Sequence, residues 1–181
     1  SNMTFPNATT DHSWYDLFAG SLSIERNSLD YKQYPISGRK QFLVAQYVTG
    51  TEKYMPSPIT DMGSFDRKVH SWLQMKGEWE QYKTISPYFN LGFMSELVLS
   101  SKNLMNNYTA SVLQAPAFTP TPHSQIVFNE AFRANQYVAF GLSPILKFSK
   151  LLHFRLDMYG FAPLYEIKKE EVWNNNTYTA I

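Results

Sequence analysis

The stretch that decides the fold is Leu151-Leu152-His153-Phe154-Arg155-Leu156-Asp157-Met158-Tyr159-Gly160. Here His153, Arg155 and Asp157 alternate with Phe154, Leu156 and Met158. Successive side chains of a strand point to opposite faces. A strand over this stretch therefore has one wholly ionisable face and one wholly apolar face. The apolar face must meet either a protein core or lipid.

Working outward, the same period of two recurs along the chain. Asp16 to Arg26 puts Phe18, Leu22 and Ile24 on one face with Gly20. Lys40 to Thr49 puts Phe42, Val44 and Val48 opposite Leu43, Ala45 and Tyr47. Phe65 to Gly77 and Glu78 to Ile85 read as two further strands, with Val69, Ser71, Leu73 and Met75 opposing His70, Trp72, Gln74 and Lys76. Tyr88 to Ser100 sets Phe89, Leu91, Phe93, Leu97 and Leu99 against Asn90, Gly92, Met94 and Glu96. Tyr108 to Gln114, Tyr137 to Phe148 and Leu151 to Gly160 complete the set. Turn signals at Ser37-Gly38 and in the Pro56, Pro58 and Gly63 region separate these runs. The expectation is an all-β fold: an antiparallel meander of roughly eight strands forming a barrel or barrel-like sheet. At most one short helix is expected, near 124–133, with Ser124 as its N-cap.

The 181 residues suit a single β domain spanning 1–181. Ser1-Asn2-Met3 reads as an expression scar, with the native start further upstream. Aromatic residues make up 16%, an excess that favours β structure and also suits the boundary between water and an apolar phase. The formal net charge is +1 and no run of basic residues forms a patch, so nucleic acid is not an expected partner. With no cysteine there is neither a disulfide framework nor a thiolate metal site. No apolar run approaches the ~20 residues of a spanning helix, a signature that a spanning β-barrel does not need.

The usual catalytic signatures are missing. No G-x-S-x-G turn occurs: Gly141-Leu142-Ser143 runs into Pro144, and Gly92-Phe93-Met94-Ser95 has the wrong spacing. No histidine has a serine two positions on. His12, His70 and His123 are scattered, and between His153 and Asp157 stands the cation Arg155, so no metal or other cofactor is expected. Trp14, Tyr15, Trp72, Trp79 and Trp173 could form a sugar-stacking platform, but core packing or interface anchoring accounts for them better. The sharpest candidate is a pair between Arg133, in Phe132-Arg133-Ala134-Asn135, and Asp157 on the ionisable strand face. A sequestered guanidinium needs a carboxylate, and a bidentate pair would fix a loop to a wall. Two solvated charges out of contact are the plainer reading of the residues alone.

Taken together, several stretches carry a resemblance. They are Lys32-Gln33-Tyr34 with Ser37-Gly38, Gly50-Thr51-Glu52-Lys53-Tyr54 with Pro56, and His70-Ser71-Trp72. Further on come Ser101-Lys102-Asn103 with Asn107-Tyr108, Ala115-Pro116-Ala117-Phe118-Thr119-Pro120-Thr121-Pro122, and Phe128-Asn129-Glu130. Phe132-Arg133-Ala134-Asn135, Gly141-Leu142-Ser143-Pro144-Ile145 and Tyr159-Gly160-Phe161 follow. In this order, from about Leu29 to Ile167, the chain resembles the C-terminal barrel of bacterial patatin-like phospholipases, a barrel of the surface-antigen and outer-membrane assembly-factor type.

The resemblance implies a non-catalytic outer-membrane segment of a Gram-negative cell, one that anchors, displays or exports an upstream lipid acyl hydrolase domain. The family's catalytic dyad and glycine-rich loop lie outside this chain. Expected partners are outer-membrane lipid, that upstream domain and, for the isolated segment, other copies of itself. The resemblance also makes Phe132-Arg133-Ala134 a loop tip reaching Asp157 on the wall, although Ala134 stands where the family has Gly. His153, Arg155 and Asp157 would line the lumen, while Phe89/Leu91/Phe93/Leu97 and Phe154/Leu156/Met158 would face lipid. The alternative is a soluble β-barrel or sandwich that binds a lipid or glycan, with those apolar faces turned inward.

Overall fold

A computed structural model describes residues 12–55, 66–102, 108–149 and 152–165. The chain is an antiparallel meander: β1 (His12–Asn27), β2 (Gly38–Met55), β3 (Asp66–Ser86), β4 (Phe89–Ser100), β5 (Gln136–Lys147), β6 (His153–Arg155) and β7 (Met158–Tyr165). The sheet order is β1-β2-β3-β4-β5-β6, and β7 also pairs with β5. A seven-residue helix, α1 (Tyr108–Gln114), and one 3-10 turn (Glu130–Phe132) lie between β4 and β5. The fold is all-β, as the alternation implies, and the sheet is not closed among the described residues.

Three local expectations change. Asp66–Ser86 is one strand where two are expected. Gly77 pairs with Leu43 on one side and Leu97 on the other, so a lone glycine bonded in both ladders does not interrupt the strand. Tyr108–Gln114 is helical rather than extended. No neighbouring strand pairs with it, and local bonding satisfies its backbone instead. Ser111 and Val112 in it and Ala115 just beyond it are buried, at helical spacing. Residues 124–129, by contrast, form no α-helix. The Ser124 hydroxyl, read as an N-cap, instead donates to Thr121 O at 2.7 Å and holds a tight turn.

The closing strand is interrupted for a reason visible in its neighbour. β6 and β7 pair with β5 in one continuous register, Ile145↔Arg155 and Leu142↔Met158, with Leu156 and Asp157 between them. Leu156 N–H donates to Pro144 O at 3.1 Å, but Pro144 has no N–H to return. The ladder loses one bond of a reciprocal pair, and the strand breaks there.

The two faces of the sheet differ in an inverted way. Side chains on the covered face include Glu52, His70, Asn90, Glu96, Tyr137 and Ser143, all buried. Val48, Trp72, Val98, Ala139 and Ile145 are buried among them, while the open face carries large apolar side chains with no cover: Phe18 and Leu22 are 75% and 74% exposed, and Leu73, Phe93, Leu97, Phe140 and Met158 are also exposed. The faces that the soluble alternative turns inward are uncovered in this sheet.

Both long connections described cross the covered face. The turn after β1 is held by Asp30, whose carboxylate accepts N–H from Tyr31, Ile36 and Ser37. It closes at Gly38, where φ is +104° and a Cβ would lie 2.2 Å from Ser28 O. The segment from α1 to β5 returns along the same face, with Phe118 buried among Tyr137, Tyr159 and Phe161.

Candidate functional site

The ionisable residues of the covered face fall into three groups. The first centres on Arg155. Its Nε donates to Asp157 Oδ1 at 2.7 Å, its Nη1 to Pro35 O at 2.8 Å, and its Nη2 to Tyr82 OH at 2.9 Å. The guanidinium also lies over the Tyr34 and Tyr82 rings, at 5.6 and 5.1 Å. Tyr82 can lie this close because its cross-strand partner is Gly92, where a Cβ would come within 2.3 Å of the ring. Ser143 completes the group by donating to Asp157 Oδ1 at 2.5 Å.

The second group is a ladder of ion pairs along β2, β3 and β4. Lys40 Nζ meets Glu78 at 2.8 Å and Lys76 Nζ meets Glu96 at 3.0 Å. Tyr137 OH donates to Glu96, and Tyr82 OH donates to Glu80 at 2.6 Å. Between these strands and the overlying segments lies a polar cavity of about 240 Å³, lined by Glu80, Arg155 and Tyr159 on the sheet and by Thr119, Thr121 and Gln125 above it.

The third group lies toward the other end. Glu52 is fully buried, accepts from Tyr15 OH at 3.0 Å and meets His70 Nε2 at 2.8 Å. Lys102, just past β4, is buried over the Trp72 ring and donates to Gln114 Oε1 at 3.4 Å. Burial pushes the Lys102 ammonium down to about 8, against the pull of nearby Glu52.

The expected pair of Arg133 with Asp157 does not form. Arg133 Nη1 donates to Leu113 O and Ala115 O, each at 3.0 Å, and reaches Val112 O at 3.5 Å. These are the last carbonyls of α1 and the residue just beyond it, which have no partner within the helix. A cation is favoured at that end. The guanidinium also stacks on Phe128 at 4.8 Å. Asp157 is taken by Arg155, two positions away and therefore on the same strand face, so it needs no partner from the loop. Of the expected polar row, Arg155 and Asp157 are partly buried on the covered face and His153 is exposed at its end.

Ser143 beside Asp157 has the composition of a nucleophile and base but not the setting. The serine stands in the middle of a strand, and the carboxylate is already bound by a guanidinium, which weakens it as a base. Among the described residues no cluster of three or more metal-ligating side chains occurs. Of the aromatic platform, Trp72 is buried, Trp79 meets Phe93 in a tilted contact at 5.5 Å on the open face, and Trp173 lies outside the described residues. Tyr82 and Ser143 were not foreseen as partners of this site. The signal available was parity alone: Tyr82 shares a face with Glu78 and Glu80, and Ser143 with Tyr137 and Gly141.

Compared with known proteins, the chain matches no family model, no curated protein and no solved structure.

Proposed function

We propose that the chain is a non-catalytic, lipid-facing segment of an outer-membrane β-barrel, its open face against acyl chains and its covered face toward an aqueous lumen. The observation that carries this reading is the length of the open-face apolar runs. On β3 the run extends from Val69 to Trp79 and is bracketed by Arg67 and Lys83. On β4 it extends from Phe89 to Leu99, and along β6 and β7 from Phe154 to Leu164. On β1 the run is shorter, Phe18 to Ile24 between Asp16 and Arg26, and on β2 it is Leu43 to Tyr47. Ten residues cover about 33 Å of strand. At a tilt of about 40° that becomes a band about 25 Å tall, the height of the apolar belt of outer-membrane barrels.

The register offsets the band across the sheet. The band centres on Ser21 in β1 and on Tyr159 in β7. The pairings carry Tyr159 through Gly141, Met94, Glu80 and Lys40 to Asn27, six residues beyond Ser21. That is about 20 Å along the strands, and all of it enters between β4 and β3: the β4 band also centres on Met94, whose partner Glu80 lies six residues beyond Gln74, the centre of the β3 band. A core-forming sheet has no reason to keep such a band.

The role in the parent follows the resemblance: to anchor, display or export an upstream lipid acyl hydrolase domain. The occupied carboxylate beside Ser143 accords with a segment that does no chemistry itself.

The test is tryptophan quenching by brominated lipid, using variants that keep a single tryptophan. Trp79, on the open face, is expected to be quenched when the protein is reconstituted in bilayers, and Trp72, on the covered face, is not. Quenching of Trp72 alone, or of neither, would overturn the reading.

A further inference from the structure

We propose that the open face carries a binding site for an anionic phospholipid, with Arg26 and Arg39 on its phosphate and an acyl chain in a groove floored by Gly77. It rests on the lipid-facing reading and adds one specific occupant. Arg26 closes the apolar run of β1, and Arg39 stands before that of β2. Arg26 pairs with Gln41, so Arg39 is its diagonal neighbour on the same face, at about 7–8 Å and within reach of two long side chains. Both line one pocket of about 310 Å³, together with Ser28 and Gln81. Both are exposed, and neither guanidinium has a hydrogen-bond or ion-pair partner among the described residues. By strand parity the open face of the described strands has one carboxylate, Asp16, and it stands at the other end of the β1 run. Two unopposed guanidiniums select an anion, and their fork geometry suits phosphate.

The pocket shares Arg26 as a wall with an apolar groove of about 670 Å³. That groove crosses from Ile24 on β1 to Val138 on β5, four strand spacings or about 19 Å. Its row of paired residues is Ile24, Leu43, Gly77, Leu97 and Val138. Of the five, Gly77 alone has no side chain. A Cβ there would meet nothing closer than Leu43 Cδ1 at 3.9 Å, so the glycine leaves open space between Leu43 and Leu97 rather than relieving a clash. The next row toward the pocket holds Gln41 and Trp79, and an indole at the edge of an apolar band suits headgroup level. A free phosphate would use the arginines and leave the groove empty. A neutral hydrocarbon would do the opposite, and a zwitterionic headgroup would bring its own cation beside two guanidiniums. A lipid with an anionic phosphate headgroup uses both parts of the site.

The experiment uses phosphatidylcholine bilayers holding a small fraction of brominated lipid, and the full chain with Trp79, at the edge of the groove, as its only tryptophan. Brominated phosphatidylglycerol is expected to quench Trp79 several-fold more than brominated phosphatidylcholine at the same mole fraction. Arg26→Gln with Arg39→Gln is expected to abolish that excess and leave quenching by the choline lipid unchanged. Gly77→Leu, which fills the groove and keeps both arginines, is expected to abolish it too, and Gly77→Val stands in should the leucine variant fail to fold. Lys53→Gln with Arg67→Gln removes the same charge from the opposite edge of the open face and is expected to keep the excess. Added inorganic phosphate is expected to leave it unchanged. The proposal is overturned by equal quenching by the two lipids, by an excess that survives the arginine or the glycine variant, by its loss in the opposite-edge variant, or by its displacement by inorganic phosphate. Equal quenching would leave the lipid-facing reading standing, whereas no quenching by either lipid would remove that reading itself.

Discussion

Arg155 Nε donates to Asp157 Oδ1 at 2.7 Å along one strand line, and the same guanidinium holds Pro35 O and Tyr82 OH. One side chain thus ties the closing strand to β3 and to the turn that crosses the covered face. Arg133, the arginine expected at this carboxylate, caps α1 instead.

A double-mutant cycle separates these two arginines. Arg155→Ala leaves a partly buried carboxylate with only Ser143 and should cost about 2–4 kcal/mol in urea unfolding in micelles. Combining it with Asp157→Ala should give a coupling energy of about 1–3 kcal/mol. The Arg133→Ala and Asp157→Ala pair should be additive within about 0.5 kcal/mol. A coupling between Arg133 and Asp157 as large as that of Arg155 would contradict the arrangement described.

Neighbouring positions on β1 should respond oppositely to charge. Leu22 faces outward near the middle of the apolar band, and Ser21 points to the other face. Leu22→Arg should cost about 2–4 kcal/mol of stability in lipid vesicles, as for an arginine at the midplane of a barrel wall. Ser21→Arg should cost much less. Equal costs would remove the distinction between a lipid side and a water side.

Lys102 should make stability depend on alkaline pH. Its folded pKa, about 8, lies below the usual value of 10.5, so between those limits the unfolded chain holds more protons. Stability therefore rises as pH increases through that window, is fully present above it, and is lost as pH falls through about 8. Lys102→Met should flatten the window in micelle unfolding curves measured from pH 7.5 to 10.5. Identical pH profiles for the wild type and Lys102→Met would refute the assignment.

Gly38→Ala tests the turn that crosses the covered face. The residue has φ of +104°, and a Cβ would lie 2.2 Å from Ser28 O. A cost of about 1–3 kcal/mol is expected, with faster exchange at the amides of Ser28 and Asp30, which bond across this turn. Gly77→Ala is the control, because a Cβ there meets nothing closer than Leu43 Cδ1 at 3.9 Å.

Strand parity was legible because it is local. The alternations at Phe89–Leu99 and His153–Met158 each assign side chains to two faces without reference to the rest of the chain. The seven-residue stretch Tyr108–Gln114 misled because Ala110, Val112 and Gln114 alternate acceptably in a strand. Whether such a segment extends depends on a neighbour to pair with. Parity puts Arg155 on the face of Asp157 but does not show it as a hub, because Tyr82 and Pro35 reach it from far along the chain, 73 and 120 residues away in sequence.

The sequence by itself determined an antiparallel all-β meander and the membership of each face, since a period of two follows from backbone geometry alone. Only the tertiary structure decided which face is covered, and that it is the polar one. It also decided that Asp157 belongs to Arg155. Parity names the two sides of a sheet but not what lies over them. That depends on where the long connections fold back, and here the turn after β1 and the segment before β5 both cross the ionisable face.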